Sequence, residues 1–492
     1  MDGELLSRFD GEVWSRMPRE EGGAIIGGTP MIDITGDAAE CAASLGVTIN
    51  PSARIFAKMD AALPSGSIKA RPAAFMIREA ITDGRLRSGQ VVIEATSGNF
   101  GIALGMMSKL GLKVVALVSR RLQGGVLEEL GRQGVGIIDL DVDICPAPGM
   151  EGSANKAAAM AAAANVRSKL VEMGMDPAPF DGATARILEL LEAQDVIRLA
   201  QELAGIYGFF CPAQYDNESN MEAHRTITAP EMEAQLGGMG SSLERADVVC
   251  TFGTGGTSGG ISRYVSSRYG RKSVHVVFPP VGQDVAGIRT KATASGLGMY
   301  RPELYEAEHE EDPAASRKLL KMMVDRGHDM GESSALALLR AARMASDGGH
   351  YVVIVADGIA KYKKALEAKK MEVTLAEASG AGYDRVVWVH ARYSPRGEGI
   401  SAMAASLGVD ESCIEVPSAG AVERMLSTGE IPDEVMDKVR GAKRPLFVCM
   451  GGNTSLAAAK ALAGKGVDVE SLNGGIMGIA GPAGPGGLVE PA

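Results

Sequence analysis

The stretch LPSGSIKARPAAFMI, Leu63 to Ile77, places one lysine in a small, glycine-bearing loop and runs on into apolar residues that read as the start of a helix. Lys69 at such a junction is either solvated or, in a partly dry and cationic pocket that lowers its pKa, a nucleophile able to form Schiff bases with aldehydes. The choice between the two depends on what the rest of the chain places around it.

From about residue 54 to 360, short β-branched runs alternate with alanine-rich segments of helical period, the pattern of an α/β protein with a largely parallel sheet. QVVIEA, KVVALV, VGIIDLD, DVVCTF, SVHVVF and HYVVIVA read as strands. Several end at glycine- or hydroxyl-rich turns, and in open α/β sheets ligands sit beyond the carboxyl ends of strands. Residues 151–204 hold two helical stretches with a Pro- and Gly-marked break and read as an insertion. A charged, then small-residue-rich segment puts a domain boundary near Gly380, after which a second α/β pattern runs to about residue 478. The Pro/Gly-rich residues 479–492 read as a flexible tail.

The chain has 492 residues, enough for two or three cores. Fifty Lys and Arg against 61 Asp and Glu give a net charge of −11, which argues against a nucleic-acid groove while leaving room for a small anionic ligand held locally. No basic leader and no apolar run of membrane-spanning length is present, so a cytoplasmic protein without a membrane partner is expected. Six scattered cysteines without a CxxC pair indicate neither a zinc site nor a disulfide framework.

Three further stretches bear on Lys69. EATSGNFGIALG, residues 94–105, follows a strand and opens a helix, so Thr96, Ser97 and the amides near Gly98 to Gly101 can surround a carboxylate. TFGTGGTSGGIS, residues 251–262, also follows a strand, and Gly253, Thr254, Gly255, Gly256 and Thr257 form a loop whose amides can wrap a phosphate. MGESSALALLRAA followed by HYVVIVADGIAKY completes the set, with Ser333 able to set a neutral hydroxyl against a ring nitrogen.

In this order and spacing the chain resembles the cysteine synthase and cystathionine β-synthase branch of the fold-type II pyridoxal phosphate enzymes, over about Gly27 to Tyr362, including IGGTPMIDI and QYDNESNMEAHRTITAPEM. The resemblance implies a two-lobed, tryptophan synthase β-like fold over residues 1–375, with a small lobe at about 54–150, and a cytoplasmic homodimer. It implies that Lys69 carries pyridoxal 5'-phosphate and acts as the base at the substrate Cα. Asn99 would bond the ring oxygen, Gly253 to Thr257 would hold the phosphate and Ser333 would face the pyridine nitrogen. Thr96, Ser97, Gly98 and Gln214 would bind the amino acid substrate. The implied reaction is β-replacement on O-acetylserine or O-phosphoserine with a separate sulfur donor, giving cysteine or a related amino acid. An amine nucleophile of the diaminopropionate-precursor kind, or an inactive sulfur-sensing or scaffold protein, are the alternatives. Ala70 stands where the family usually has an acidic residue, Phe100 where a hydroxyl is common, and Ala335 for a usual glycine. Arg289 and Lys291 in GIRTKATASG border the expected substrate entrance, either as phosphate-binding cations or as a solvated basic face.

In the second region, PLFVCMGGNTSLAAAKALAGKGVDVESLNGGI places Cys449 at the end of an apolar strand, in a glycine-rich loop before a helix, where amides would stabilise a persulfide or other anion. This resembles a rhodanese-like domain over about residues 383–478 and implies Cys449 as a catalytic sulfur carrier. A phosphatase loop would need an arginine where Ser455 stands. Met450 in place of the usual basic residue, and His390 near the place of a family aspartate, leave an inactive module with a buried cysteine as the alternative.

Overall fold

A computed structural model describes residues 2–14, 27–96, 98–118, 124–140, 156–281, 283, 285–363, 371–428, 430–481 and 486–491. The strands of the larger region are β1 (Met31–Asp33), β2 (Arg54–Met59), β3 (Val91–Thr96), β4 (Lys113–Val118), β5 (Gly136–Asp139), β6 (Ala246–Thr251), β7 (Val274–Phe278), β8 (Ala307–Glu310) and β9 (His350–Val355). They form two sheets, one of six strands in the order β1-β2-β9-β6-β7-β8 and one of three in the order β3-β4-β5. Every pairing is parallel except β1 with β2. All six runs read as strands from sequence are strands, because parallel strands covered on both faces must be apolar throughout.

Two expected boundaries are corrected. The small lobe does not begin at residue 54: β2 pairs in register with β9, Arg54 opposite His350 through Met59 opposite Val355, and so belongs to the larger sheet. Within 151–204 the second helical stretch is two helices, Ala178–Glu192 and Val196–Tyr207. Gln194 adopts φ 57 between them, and the Asp195 side chain caps the second by accepting from Arg198 N. That second helix buries Leu199 and Leu203 in the same core as Ile93 and Val248, so it is part of the core rather than an appendage.

The C-terminal region adds β10 (Glu372–Val373), β11 (Arg385–Trp388), β12 (Tyr393–Pro395), β13 (Ile414–Glu415), β14 (Pro445–Val448), β15 (Glu470–Leu472) and β16 (Val489–Pro491). Five of these make an all-parallel sheet in the order β10-β15-β14-β11-β13. This sheet starts with β10, so the region begins before residue 383. The expected flexible tail is also corrected: Gly475–Ala480 is helical, and β16 pairs antiparallel with β12, with Val489 buried. The glycines of the described turn at 486–488 precede this strand, and the composition around them concealed the pairing. Among the described residues no helix is long and apolar enough to cross a membrane.

Candidate active site

Loops leaving the carboxyl ends of β2, β3, β6, β7 and β9 converge on one cavity, lined by Lys69, Asn99, Gly253 to Ser258, Gly287, Ser333 and Asp357 among others. Lys69 is the residue before the helix Ala70–Thr82, which buries Ala73, Met76, Ile77 and Ile81 on its core side. Its loop is pinned to the end of β9, where Ser67 bridges Asp357 and Ile68 N donates to the Ala356 carbonyl at 2.7 Å. The lysine is therefore held in place from a strand nearly three hundred residues away.

Burial lowers the Lys69 ammonium to about 8; the Arg289 cation adds to the fall and Asp357 opposes it. Arg289 Nε donates to the Gly253 carbonyl at 3.2 Å, and its guanidinium lies 4.9 Å over the Tyr215 ring. Lys291 is different: it is exposed, and its Nζ is paired with Glu308 at 2.7 Å. Of the two cations expected at the entrance, only Arg289 has an interaction with the lysine.

The glycine loop has the cramped geometry of an anion cradle. Gly255 has φ 93 and precedes the helix Gly256–Tyr269, whose first residues, Gly256 to Ser258, line the cavity. A Cβ on Gly255 would meet the Met299 carbonyl oxygen at 2.6 Å, and one on Gly256 would meet Asn220 Oδ1 at 2.0 Å. Behind the loop, His224 Nε2 lies 3.3 Å from Thr257 Oγ1 and its Nδ1 2.8 Å from Thr228 Oγ1. Burial, then the Arg71 and Lys69 charges, push His224 well below the usual imidazole range, so a neutral ring orients Thr257.

Ser333 lies near the start of the helix Glu332–Met344 and lines the cavity. Asn99 also lines it, with its side chain already engaged: Nδ2 donates to Asp357 Oδ2 at 2.7 Å, and Oδ1 accepts from Lys361 Nζ at 2.5 Å. Burial raises the Asp357 carboxyl, against the opposing pull of Lys361, Tyr362 and Asn99.

Two expected substrate contacts take other positions. Thr96 is fully buried, and its Oγ1 accepts from Gly98 N at 3.0 Å and Gly101 N at 3.3 Å, so it shapes the loop from beneath. Gln214 is buried, with its Nε2 donating to the Ala95 carbonyl at 3.0 Å and its N to Glu94 Oε2 at 3.2 Å, which ties its segment to the end of β3. Burial raises Glu94 to about 8 despite amides from Gln214, Ala213 and Ala95. Gly98 opens the helix Asn99–Gly105, and Ser97 lies outside the described residues.

Beneath the lysine helix sits an ion network that sequence reading missed. Arg71 Nη2 pairs with Asp60 Oδ1 at 2.8 Å and Nη1 with Glu231 Oε2 at 2.9 Å, while Lys58 pairs with Glu231 Oε1, all essentially buried. Thr29, from IGGTPMIDI, donates from its Oγ1 to Asp60 Oδ1 at 2.6 Å. The only hint in the sequence was the charged pair Lys58 and Asp60 beside the apolar run that forms β2 and Arg71 at the start of an apolar helix.

The "Pyridoxal-phosphate dependent enzyme" family matches residues 24–358, more than half of the chain. The chain belongs to the pyridoxal-phosphate dependent enzymes. Within this family it is similar to a probable cysteine synthase of Bacillus subtilis, 27% identical over 306 residues, covering 60% of this chain and 82% of that protein. It is equally similar to cysteine synthase B of Escherichia coli, 27% identical over 304 residues, covering 61% and 82%. Among solved structures, the fold is shared with an O-ureido-L-serine-bound mutant of O-ureido-L-serine synthase, at TM-score 0.51, 21% identity and coverage of 69% of this chain and 90% of that one. It is also shared with an O-acetylserine dependent cystathionine beta-synthase from Helicobacter pylori, at TM-score 0.50, 22% identity and coverage of 69% and 95%. The protein is thus a pyridoxal-phosphate-dependent, cysteine synthase-like enzyme of mixed α/β, fold-type II architecture. The cavity fits the cofactor: a partly buried lysine faces a loop whose bare glycines leave room only for backbone.

The second candidate site lies at the end of β14, the middle strand of the C-terminal sheet. Cys449 is buried, and its Sγ accepts from Gly452 N at 3.2 Å and Ser455 N at 3.3 Å, with Ser455 Oγ at 3.4 Å. The LNGGI turn closes over it, with Ile476 N donating to the Cys449 carbonyl at 2.9 Å. His390 Nδ1 accepts from Arg392 N and Tyr393 N at 3.2 and 3.1 Å, an acceptor role at the turn after β11.

Proposed function

We propose that the enzyme carries out β-replacement on an O-activated serine, with pyridoxal 5'-phosphate on Lys69, and yields cysteine or a related amino acid. The observation that carries this reading is the partly buried Lys69 lowered to about 8 in the same cavity as the 253–257 loop. The bound cofactor supplies an electron sink for the pair left at Cα. Lys69, released as an amine, removes the Cα proton. Gly253 to Thr257 hold the phosphate, Ser333 faces the pyridine nitrogen, and the loop at Gly98 receives the substrate carboxylate. The enzyme is a cytoplasmic homodimer in this reading, and its partners are the amino acid and a sulfur donor.

Arg289 favours phosphate as the leaving group. It lies beside Lys69, rests on Tyr215, and has no carboxylate partner among the described residues. A charge-assisted bond to a departing phosphate contributes about 1.5–3 kcal/mol, so Arg289→Ala lowers kcat/KM on O-phosphoserine by roughly ten- to a hundredfold more than on O-acetylserine. Equal loss on both substrates removes the phosphate assignment and leaves O-acetylserine.

The C-terminal region acts as a rhodanese-like sulfur carrier through Cys449. Support comes from the cysteine at the end of a central parallel strand, with two backbone amides directed at its sulfur.

A further inference from the structure

Three side chains hold the Asn99 amide, and two of them leave it only one orientation. Lys361 Nζ donates to Asn99 Oδ1 at 2.5 Å and to the Gly66 carbonyl at 3.3 Å. On the other side, Asn99 Nδ2 donates to Asp357 Oδ2 at 2.7 Å and reaches the Tyr362 hydroxyl at 3.2 Å; that hydroxyl donates in turn to Asp357 Oδ2. Rotated by half a turn, the amide would set its oxygen against the carboxylate and its NH2 against the ammonium. Two charge-assisted bonds would become two repulsive contacts.

The surroundings are fitted to this arrangement. A Cβ on Gly331 would lie 2.2 Å from Asp357 Oδ1, and one on Gly358 would lie 2.5 Å from Asp329 Oδ2. Asp357 is 4% exposed, lines the cavity beside Lys69 and Ser333, and its Oδ1 has no hydrogen-bond partner among the described residues. Of the two Asn99 donor contacts the one to Tyr362 is longer and thus easier to exchange.

We propose that Asp357 and Lys361 are positioning residues: together they fix the orientation of the Asn99 amide, so that the N–H now on Tyr362, once exchanged, bonds the cofactor's ring oxygen and holds it as an anion. The proposal rests on the assignment of Asn99 to the ring oxygen. A donor fixed in advance needs no reorganisation when charge appears opposite it. Burial lowers the Lys361 ammonium, and Asp357 and Asp329 oppose that fall.

The test is the pH titration of the visible and near-ultraviolet bands of the bound cofactor in the full-length holoenzyme. Asn99→Ala and Lys361→Met both raise the midpoint at which the anionic form appears, Lys361→Arg restores it, and adding Lys361→Met to Asn99→Ala changes nothing further. Asp357→Ala is the sharper variant. By charge alone, loss of a carboxylate would favour a neighbouring anion and lower the midpoint, whereas loss of positioning raises it. A lowered or unchanged midpoint in Asp357→Ala, or additive effects of Lys361→Met and Asn99→Ala, overturns the proposal and leaves the Asn99 assignment standing. Unchanged bands in Asn99→Ala overturn both.

Discussion

Gly253 and Lys69 face each other across the cavity: a Cβ built on Gly253 would stand 3.9 Å from Lys69 Nζ and 3.0 Å from the Gly287 carbonyl oxygen. In the proposed reading the cofactor is held between the two. Gly253→Val is therefore expected to weaken cofactor binding by about tenfold or more, roughly 1.4 kcal/mol, measured by equilibrium titration of the apoprotein. Gly255→Ala acts through the fold instead. Its φ of 93 and the 2.6 Å approach to Met299 O predict a loss of about 1–3 kcal/mol in thermal or denaturant unfolding.

The lowered Lys69 makes the apoprotein's reaction with the cofactor aldehyde pH-dependent. Only the neutral amine attacks, so the rate rises with pH and levels off above about 8. Arg289 contributes to the lowering, so Arg289→Ala moves the midpoint upward. Stopped-flow absorbance reads both. An unmoved midpoint in the variant would mean that burial alone sets the lysine.

Glu231 closes the buried ion network. Burial alone would raise its carboxyl, yet hydrogen bonds and charge from Arg71 and Lys58 bring it below the usual carboxylate range. Between the lowered folded value and the ordinary unfolded value, the unfolded chain binds more protons, so this stability is present above the ordinary value and is lost as pH falls through the folded one. Glu231→Gln leaves Lys58 and Arg71 undercompensated in the interior and is expected to cost about 3–5 kcal/mol, read as a lower denaturation midpoint at neutral pH.

Sulfur delivery by Cys449 has its own signature. Tethering a carrier to its acceptor gives an effective concentration of about millimolar when the connection permits contact. With an added thiol supplying the two electrons that take the persulfide's outer sulfur to the sulfide level, thiosulfate-supported product formation should then fall strongly in Cys449→Ser while sulfide-supported formation stays near wild type. Equal activity of both proteins with every donor would make the region a structural or regulatory appendage.

That Lys69, Asn99 and the 253–257 loop line one cavity was foreshadowed because each sits in a short string whose chemistry is local: a strand end, then bare glycines or a nucleophile, then a helix. Thr96 and Gln214 were named for the substrate, yet both turn inward to hold backbone, since a hydroxyl or amide in a string does not reveal which way it points. Asp357, Lys361 and Tyr362 lay in a quoted string without a role, because their meaning comes from meeting Asn99 some 260 residues earlier. The same non-locality hid the pairing of β16 with β12 and the place of β2 in the larger sheet.

The central claim is that Lys69 drives β-replacement on an activated serine. The direct measurement is chromatographic quantification of the amino acid product when the holoenzyme meets O-phosphoserine or O-acetylserine with sulfide, beside Lys69→Ala under the same conditions. Catalytic product formation by the wild type and its loss in Lys69→Ala is the predicted result. Product no greater than in Lys69→Ala, with sulfide and with amine nucleophiles alike, would contradict the claim and leave a sulfur-sensing or scaffold protein on a retained fold.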